Sequence, residues 1–299
     1  MRLINFCRPG DTQAIRLGAH WKDRWIDVTA AAQTGLLRLP CDPPATIEDL
    51  LNTNTLRTLE IEFARTPDES LQRHTFHAND VVVKAPILRP RKLLGIGLNY
   101  RDHAEEFKIP IPKFPIVFGM YANAIVGPDE PIVIPPATSQ VDYEAELGVV
   151  IGEKALRVSP ERALDHVAGY TIVHDVSARD IQFGDKQWTR GKTIDTFAPI
   201  GPCLVTREEL GDGSGLAIEL RLNGQTLQRS NTSNLIFNVP ALVSGISQTM
   251  TLEPGDVIAT GTPSGVGYVR NPPIFMKPGD TVEIEIERIG ILRNPVTAL

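Results

Sequence analysis

The pattern of apolar and polar side chains predicts two β-strands with an acidic face. Between positions 141 and 147, Asp142, Glu144 and Glu146 alternate with apolar or aromatic side chains, and a run of aliphatic residues follows. Successive side chains of a strand point to opposite faces, so the three carboxylates share one face of a strand that continues into the core. The segment 281–287 shows the same alternation, which is typical of a half-buried strand with a solvated acidic face. The first set is either a similar solvated face or a buried row that needs a counter-charge from Arg, Lys or a metal ion.

The N-terminal part of the pattern predicts a small α+β unit. Short strands come first, and Thr46 is a possible N-cap of a following helix. Pro86 and Pro90 mark a linker after this unit. We therefore predict a small N-terminal domain at residues 1–85 and a larger domain at residues 86–299.

The larger domain is predicted to be strand-rich with few helices. Asn223 and Gly224 form the expected tip of a hairpin over residues 216–230. One helix is expected after Ser159 as its N-cap, and a second over residues 238–250. The fold class predicted for the whole chain is therefore α+β, with strands in the majority.

Composition and charge narrow the possible partners. The chain has 299 residues, of which 42% are hydrophobic and 22% charged, as in a soluble globular protein. The formal net charge of -6 and the absence of a basic block argue against nucleic acid and anionic membranes as partners. Three distant cysteines and an N-terminus without an apolar run favour a reducing, cytoplasmic setting. A small acidic substrate requires a local basic pocket.

A further carboxylate extends the acidic row into a possible metal site. Asp175 ends the apolar strand predicted at 171–176. Together with Glu144 and Glu146 it would offer three single oxygens and leave coordination positions open. Hard oxygen ligands with room for water or substrate suit Mg²⁺ or Mn²⁺ rather than zinc. The neighbouring His174 points to the opposite face of the strand, so it is expected to pack or to support the ligands from behind rather than to bind the metal.

His103 and Glu106 are a possible proton-transferring pair. They lie three positions apart, and on one turn of a helix they would share a face. A carboxylate that holds an imidazole is an arrangement suited to general-base work on water. The alternative is a solvated surface turn of mixed charge, which the fragment by itself favours.

Side chains that could receive an acidic substrate follow Asp175. They are Arg179, Gln182, Arg190 and Lys192. Arg binds a carboxylate through two parallel hydrogen bonds, and Lys supplies a point charge beside an enolate. Each of them, taken singly, is more readily a solvated surface residue.

The glycine-rich segments do not complete a nucleotide-binding motif. Residues 95–100 lack the third glycine of the dinucleotide fingerprint, and residues 261–267 have no lysine of a P-loop. The Gly261-Thr262-Pro263 turn offers N–H groups and a hydroxyl to an anion, or is simply a tight loop.

Taken together, these segments resemble the fumarylacetoacetate hydrolase family. The matching strings are GLNYRDHAEE, DYEAELGVVIG, GYTIVHDVSARD, RGKTIDTFAPIGP, LNGQTLQ, LEPGDVIATGTPSGVG and KPGDTVEIEIERIG. The resemblance extends over about residues 86–295, and the N-terminal part is similar to the smaller, variable domain of many members. It implies a rolled mixed β-sheet, a homodimeric assembly, and Mg²⁺ or Mn²⁺ as the cofactor.

The resemblance also implies a role for each candidate site residue. It implies metal ligation by Glu144, Glu146 and Asp175, and water activation by His103 and Glu106. Contacts to the 2-oxo-acid end of the substrate are implied for Arg179, Gln182, Lys192 and Thr262, with Lys192 also stabilising charge during catalysis. His174 stands where many relatives have Asn, which is a minor departure.

The activity implied by this resemblance is metal-dependent hydrolysis of a carbon–carbon bond in a 2,4-dioxo acid such as an acylpyruvate. Pyruvate or a related 2-oxo acid and a carboxylic acid would be released. Decarboxylation of oxaloacetate-like acids is the main alternative within the family, and isomerase or lyase chemistry on a related dioxo acid is another. A non-catalytic protein that binds a small acid is the alternative outside enzymes.

Overall fold

The computed structural model of the protein describes residues 1–22, 24–108 and 110–299. Its N-terminal part combines short strands with short helices. The strands are β1 (Arg2–Arg8), β2 (Asp11–Trp21), β3 (Arg24–Asp27), β4 (Thr75–Phe76) and β5 (Val82–Lys84). The helices are α1 (Val28–Gln33), α2 (Ile47–Asn52), α3 (Leu56–Arg65) and α4 (Asp68–Leu71). The predicted cap is present, since the Thr46 hydroxyl accepts the N–H of Asp49 and the Asp49 carboxylate accepts that of Thr46.

The remainder of the chain consists mainly of strands. They are β6 (Leu93–Gly97), β7 (Ile116–Met120), β8 (Ile125–Val126), β9 (Ile132–Ile134), β10 (Val141–Asp142), β11 (Ala145–Ile151), β12 (Val167–His174), β13 (Ser177–Ala178), β14 (Ala198–Thr206), β15 (Ala217–Leu222), β16 (Gln225–Asn231), β17 (Val257–Ala259), β18 (Thr281–Ile286) and β19 (Gly290–Ala298). The helices are α5 (Arg101–Phe107), α6 (Arg179–Asp185), α7 (Thr189–Lys192), α8 (Arg207–Leu210) and α9 (Val239–Ser247). The predicted strand-rich α+β fold is confirmed.

A large mixed sheet forms the centre of the molecule. Its strands follow the order β4-β3-β2-β1-β14-β12-β11-β17-β6-β7, with β5 beside β1 and β8 beside β14. Every residue of β11 and β12 is buried, which explains why their sequences are mostly apolar on both faces. A second sheet has the order β16-β15-β18-β19-β9, and β10 pairs with β13. In β18 the aliphatic residues are buried and alternate with more exposed glutamates, as the alternation predicted.

Of the two predicted helices, one differs from the observed structure and one is present as an α-helix. Residues Pro160–His166 form a 3₁₀ helix, and the Ser159 side chain makes no capping hydrogen bond there. In α9, by contrast, the Asn238 side chain accepts the N–H of Ala241 and caps the predicted helix. The predicted hairpin is present as β15 and β16, with Asn223 and Gly224 at its tip, both at positive φ.

Hydrogen bonding continues across the predicted domain boundary. Strand β1 pairs with β14, so Arg2 lies opposite Val205 and Leu3 opposite Leu204. A shared apolar cluster includes Leu3 from one side of the boundary and Leu204 from the other. The division into two domains at residue 85 stays a prediction, and the two parts share one continuous sheet. In the described ranges, no helix is both long and apolar enough to cross a membrane.

Candidate active site

Three carboxylates meet where β11 begins and β12 ends. Glu144 precedes β11, Glu146 belongs to it, and Asp175 directly follows β12. The two strands are antiparallel with Ala145 opposite His174, which places Glu144 beside Asp175. One carboxylate oxygen from each of the three residues lies within 4.8 Å of the others. All three side chains are buried, so the alternative of a solvated acidic face is wrong for this segment.

Two buried cations face the carboxylates. Lys192, at the end of α7, places Nζ 2.8 Å from Glu144 and 2.6 Å from Asp175. Arg179, at the start of α6, lies 2.6 Å from Glu144 and 2.8 Å from Asp142. With Glu146 included, four carboxylates face two cations. The cluster therefore holds two more negative than positive groups when all are ionised.

Because the charges are distributed unevenly, the three carboxyls have different pKa values. Burial by itself would raise the pKa of Glu144, but Lys192 and Arg179 outweigh it and lower that pKa to about 2. Burial and the neighbouring Asp175 and Glu144 raise the pKa of Glu146 well above its ordinary range. Burial and Glu144 also raise the pKa of Asp175 to about 7, although Lys192 opposes the shift. Lys192 and Arg179 thus favour the ionised form of Glu144 more than those of Glu146 and Asp175.

The carboxylate cluster fits a divalent cation. Asp175 Oδ1 is buried, and no hydrogen-bond partner for it occurs in the described part of the chain. Glu146 Oε2 accepts the backbone N–H of Gly261, at 2.9 Å. A buried oxygen without a hydrogen-bond partner among the described residues, an excess of negative over positive groups and a set of hard oxygen donors together match what Mg²⁺ and Mn²⁺ prefer. Glu144, Glu146 and Asp175 can therefore hold such an ion.

His103 and Glu106 form the predicted pair on α5. His103 Nδ1 lies 3.2 Å from Glu106 Oε2, and Glu106 Oε1 accepts the N–H of Gly265 at 3.0 Å. The imidazole is largely buried, so the alternative of a turn solvated on all sides is wrong for His103. Asp102 accepts from the His103 backbone and from the Ser230 hydroxyl, which fixes the first turn of the helix.

A cavity of about 220 Å³ brings the predicted site residues together. Its polar lining consists of His103, Glu144, Glu146, Asp175, Arg179, Gln182, Lys192 and Thr262. Of the residues that the sequence proposed, Glu106 lies behind His103, and Arg190 pairs with Asp185 on the surface. His174 is buried, and burial lowers its pKa to about 3, so it packs as a neutral side chain.

The cavity also has an apolar lining. It consists of Ile96, Leu98, Phe118, Phe183 and Trp188, together with Gly97. Lys192 Nζ lies 5.2 Å from the centre of the Phe118 ring, at a distance suited to a cation–π contact.

Two glycines of β6 make room for the aromatic rings. A Cβ atom on Gly95 would lie 2.2 Å from the Phe118 ring, and one on Gly97 would lie 2.2 Å from Trp188. Residues two apart in a strand share a face, so the pair of glycines was a sequence signal for close packing on that face. Gly95 and Gly97 are the two glycines of the incomplete dinucleotide fingerprint, and in this fold they make room for the two aromatic rings.

Arg179 and Asp142 form a second, structural layer of the site. The Arg179 guanidinium donates to Asp142, to Glu144 and to the amide oxygen of Gln182. Asp142 also accepts the backbone N–H groups of Gly267 and Tyr268. Asp142 thus anchors Arg179 and the loop after β17 rather than joining the three-carboxylate cluster.

Comparison with known proteins gives consistent matches. The sequence model described as fumarylacetoacetate (FAA) hydrolase, C-terminal, matches residues 92–297. An oxaloacetate tautomerase of Xenopus laevis, described as mitochondrial, is 43% identical over 300 residues, which span 99% of this chain and 90% of that protein.

Solved structures resemble the whole chain. A fumarylacetoacetate hydrolase from Exiguobacterium antarcticum is 34% identical, covers 100% of both chains and superimposes with a TM-score of 0.83. A 5-carboxymethyl-2-hydroxymuconate delta-isomerase from Mycobacterium smegmatis is 35% identical, covers 100% of this chain and 99% of its own, and gives a TM-score of 0.76.

Proposed function

Because this chain belongs to the fumarylacetoacetate hydrolase family, we propose that it interconverts the keto and enol forms of a small 2-oxo acid of the oxaloacetate type. The family as a whole supports an enzyme acting on such acids. The tautomerase activity is favoured by the Xenopus relative, which is similar over almost the full length of the chain.

The observation that carries the proposal is the position of His103. It lines the same cavity as the carboxylate cluster and Lys192, and Glu106 holds its Nδ1. Enolisation requires a base for the proton on the carbon beside the 2-oxo group and positive charge for the oxygen of the enolate. The cavity contains both.

His103 and Glu106 have different roles in the proton transfer. Since Nδ1 of His103 pairs with Glu106, we assign Nε2 to remove the proton from C3 of the keto form. The C3–H electron pair then becomes the C2–C3 π bond, the π electrons of the C2 carbonyl move onto its oxygen, and the proton taken from C3 is delivered to that oxygen to complete the enol. Glu106 stabilises the imidazolium that exists between these two transfers.

The positive groups of the cavity orient the acid. Lys192 uses two of its three N–H bonds on Glu144 and Asp175, which leaves one for an enolate oxygen. A Mg²⁺ or Mn²⁺ ion held by Glu144, Glu146 and Asp175 supplies Lewis-acid polarisation of the 2-oxo group when bound. Arg179 acts mainly by holding Glu144 and Gln182 in place.

A second candidate function is hydrolysis of a 2,4-dioxo acid, the activity predicted from the sequence. The apolar lining of the cavity favours it, since Leu98, Phe183 and Trp188 suit an apolar acyl group better than a second carboxylate. In this reaction His103 would take its proton from a water that attacks the distal carbonyl.

One set of assays separates these functions. Freshly dissolved enol-form oxaloacetate is followed by ultraviolet absorbance, and NMR follows oxaloacetate and acetylpyruvate, each with Mg²⁺ and with a chelator. Chelator-sensitive acceleration of enol loss, with oxaloacetate conserved, supports the tautomerase. Acetate and pyruvate from acetylpyruvate without such acceleration would replace it by the hydrolase, and pyruvate with CO₂ from oxaloacetate would replace it by the decarboxylase.

We also propose an oligomeric state and a location for the protein. We expect a homodimer, as the family resemblance implies, and light scattering tests it. The cytoplasmic location predicted from composition competes with the mitochondrial description of the Xenopus relative, and localisation of a tagged full-length protein separates the two.

A further inference from the structure

Gln228 is a buried amide that connects two parts of the active site. It lies in β16 and is 1% exposed. Its Oε1 accepts the backbone N–H of Ala145 at 2.9 Å, between the carboxylates Glu144 and Glu146. Its Nε2 lies 2.8 Å from the Pro263 carbonyl oxygen and 2.8 Å from the Thr262 hydroxyl.

The backbone partners determine which way the amide of Gln228 faces. The N–H of Ala145 can only donate, so the atom opposite it is the amide oxygen. The carbonyl of Pro263 can only accept, so the atom opposite it is the amide nitrogen. A flipped amide would lose both of these buried hydrogen bonds.

This orientation decides the polarity of the Thr262 hydroxyl. One N–H of Gln228 is directed to Pro263, and the other donates to Thr262 Oγ1. Because Oγ1 accepts from the amide, its own hydrogen is directed elsewhere. Thr262 lines the cavity, so this hydrogen is available to an acceptor bound there.

We propose that Gln228 is a positioning residue that fixes the Thr262 hydroxyl as a hydrogen-bond donor to a carboxylate oxygen of the bound 2-oxo acid. The proposal rests on the proposed function, since it takes the ligand of this cavity to be a 2-oxo acid. It adds a specificity rule: the ligand must present an acceptor at Thr262. A carboxylate or carbonyl oxygen is accepted there, and an amide N–H at the same position is not.

The test measures binding of oxalate rather than turnover. Oxalate has the two adjacent, acceptor-only oxygen groups of a 2-oxo acid, and calorimetry in excess Mg²⁺ gives its affinity. The variants are Gln228→Met, Thr262→Val and the double variant. Mg²⁺ affinity without oxalate and the thermal midpoint are measured for each.

The effects of the two substitutions on oxalate binding are expected to depend on each other. Gln228→Met frees the hydroxyl to rotate and weakens oxalate binding by about three- to tenfold. Thr262→Val weakens it by about tenfold or more, because a hydrogen bond to a charged group is lost. In the Thr262→Val background, Gln228→Met has less than about a twofold further effect.

Several results would overturn the proposal. An undiminished effect of Gln228→Met in the Thr262→Val background would show that Gln228 does not act through Thr262. A parallel loss of Mg²⁺ affinity would show that Gln228 acts instead through Ala145 on the carboxylates at either side of it. If the wild-type protein binds no oxalate with Mg²⁺, the 2-oxo-acid site itself fails, and the role of Gln228 fails with it.

A second variant keeps the test decisive if Gln228→Met does not fold. Gln228→Glu retains an acceptor for the Ala145 N–H and replaces the nitrogen that donates to Thr262. Gln225→Glu, on the exposed start of the same strand, is the control for the added carboxyl. Gln228→Glu is expected to weaken oxalate binding while Gln225→Glu does not. Wild-type affinity in Gln228→Glu would contradict the proposal.

Discussion

At the scale of single residues, three chemically similar carboxyls have different proton affinities because their neighbours differ. Glu144 is the one that both Lys192 and Arg179 contact, and its pKa is low. Glu146 and Asp175 have raised pKa values, since burial and mutual repulsion dominate there. The first group is thus ionised throughout the physiological range, whereas the other two bind a cation in competition with protons.

This competition predicts a pH-dependent metal affinity. The pKa of Asp175 is raised to about 7 and that of Glu146 is also raised, so protonation of both increases as pH falls. We expect Mg²⁺ to bind more tightly at about pH 8 than at about pH 6, by up to about tenfold per pH unit for each proton displaced. Calorimetry in buffers of different ionisation enthalpy measures both the affinity and the proton release.

Matched variants identify the responsible groups. Glu146→Gln replaces a carboxylate ligand by a neutral amide and is expected to weaken Mg²⁺ binding at every pH. Glu285→Gln, on the exposed acidic face of β18, leaves both the affinity and its pH dependence unchanged. A Mg²⁺ affinity that is flat from about pH 6 to about pH 8 would contradict the raised pKa values.

The His103–Glu106 pair predicts a separation of metal binding from catalysis. His103→Ala is expected to keep Mg²⁺ affinity and to lose tautomerase activity by about a hundredfold or more, the scale of a lost general base. Glu106→Gln should lose less, since the imidazole remains but its orientation and charge are less well supported. Enol loss and Mg²⁺ binding are measured on the same preparations.

An exposed histidine provides the control for this prediction. His77→Ala lies on the surface of the N-terminal part and should leave the rate unchanged. Full turnover by His103→Ala would remove the pair from the mechanism.

At the residue scale, spacing indicated which polar side chains could meet, since carboxylates two apart in a strand share a face and His and Glu three apart on a helix lie on one side of it. Spacing left a solvated alternative open for both sets, and the family resemblance is what favoured a site. Phe118, Trp188 and Gln228 come from distant elements that only the folded sheet brings to the cavity. No local spacing relates them to the carboxylates.

At the scale of elements, strand β6 supports the site because two of its residues are glycines without a side chain. Gly95 and Gly97 leave space for Phe118 and Trp188, and β6 leads into the segment before α5. There the buried Asn99 side chain donates to the carbonyls of Thr260 and Phe237 and accepts the N–H of Phe237. The strand, the start of the His103 helix and the loop that carries Thr262 are thereby held together.

This arrangement predicts that one added methyl group on β6 lowers the stability of the protein. Gly97→Ala forces the Trp188 ring to move, and overpacking of this kind typically lowers the free energy of unfolding by about 1–3 kcal/mol. The affinity for oxalate should fall as well, since Trp188 lines the cavity. Urea unfolding and calorimetry measure the two effects.

The neighbouring strand offers a matched control. Gly119 lies in β7, and a Cβ atom there would meet nothing within 4 Å. Gly119→Ala should therefore change the free energy of unfolding by no more than about 0.5 kcal/mol. Equal effects of the two substitutions would mean that contact with Trp188 does not limit the packing.

At the scale of elements the sequence was most informative where local chemistry decides the structure. The Asn223-Gly224 turn, the Thr46 cap and the alternation in β18 are all local, and each is present. The segment after Ser159 became a 3₁₀ helix, since a capping residue in the sequence does not ensure that its side chain makes the capping bond. The joining of β1 to β14 links positions some 200 apart, which periodicity cannot specify.

At the scale of the whole molecule, the continuous sheet predicts that the C-terminal part does not fold well alone. A chain of residues 86–299 would expose the edge of β14 that β1 covers and apolar residues such as Leu204. We expect this truncated chain to be largely insoluble or aggregated compared with the full chain. The soluble fraction and light scattering after identical expression measure it.

Complementation is the control for the truncation. Residues 1–85 supplied as a separate chain should restore part of the soluble fraction, because they carry β1 and β5. A monodisperse fragment of residues 86–299 with the full chain's thermal midpoint would instead establish two independent domains.

The pairing of β1 with β14 also limits how such genes can recombine. A crossover near the codon for residue 85 would combine the first strand of one parent with the sheet edge of another. Leu3 of one parent would then pack against the residue that the other parent has at position 204. Crossovers that keep both strands from the same parent preserve this contact, so viable chimeras of related genes should be enriched in exchanges that move the two segments together.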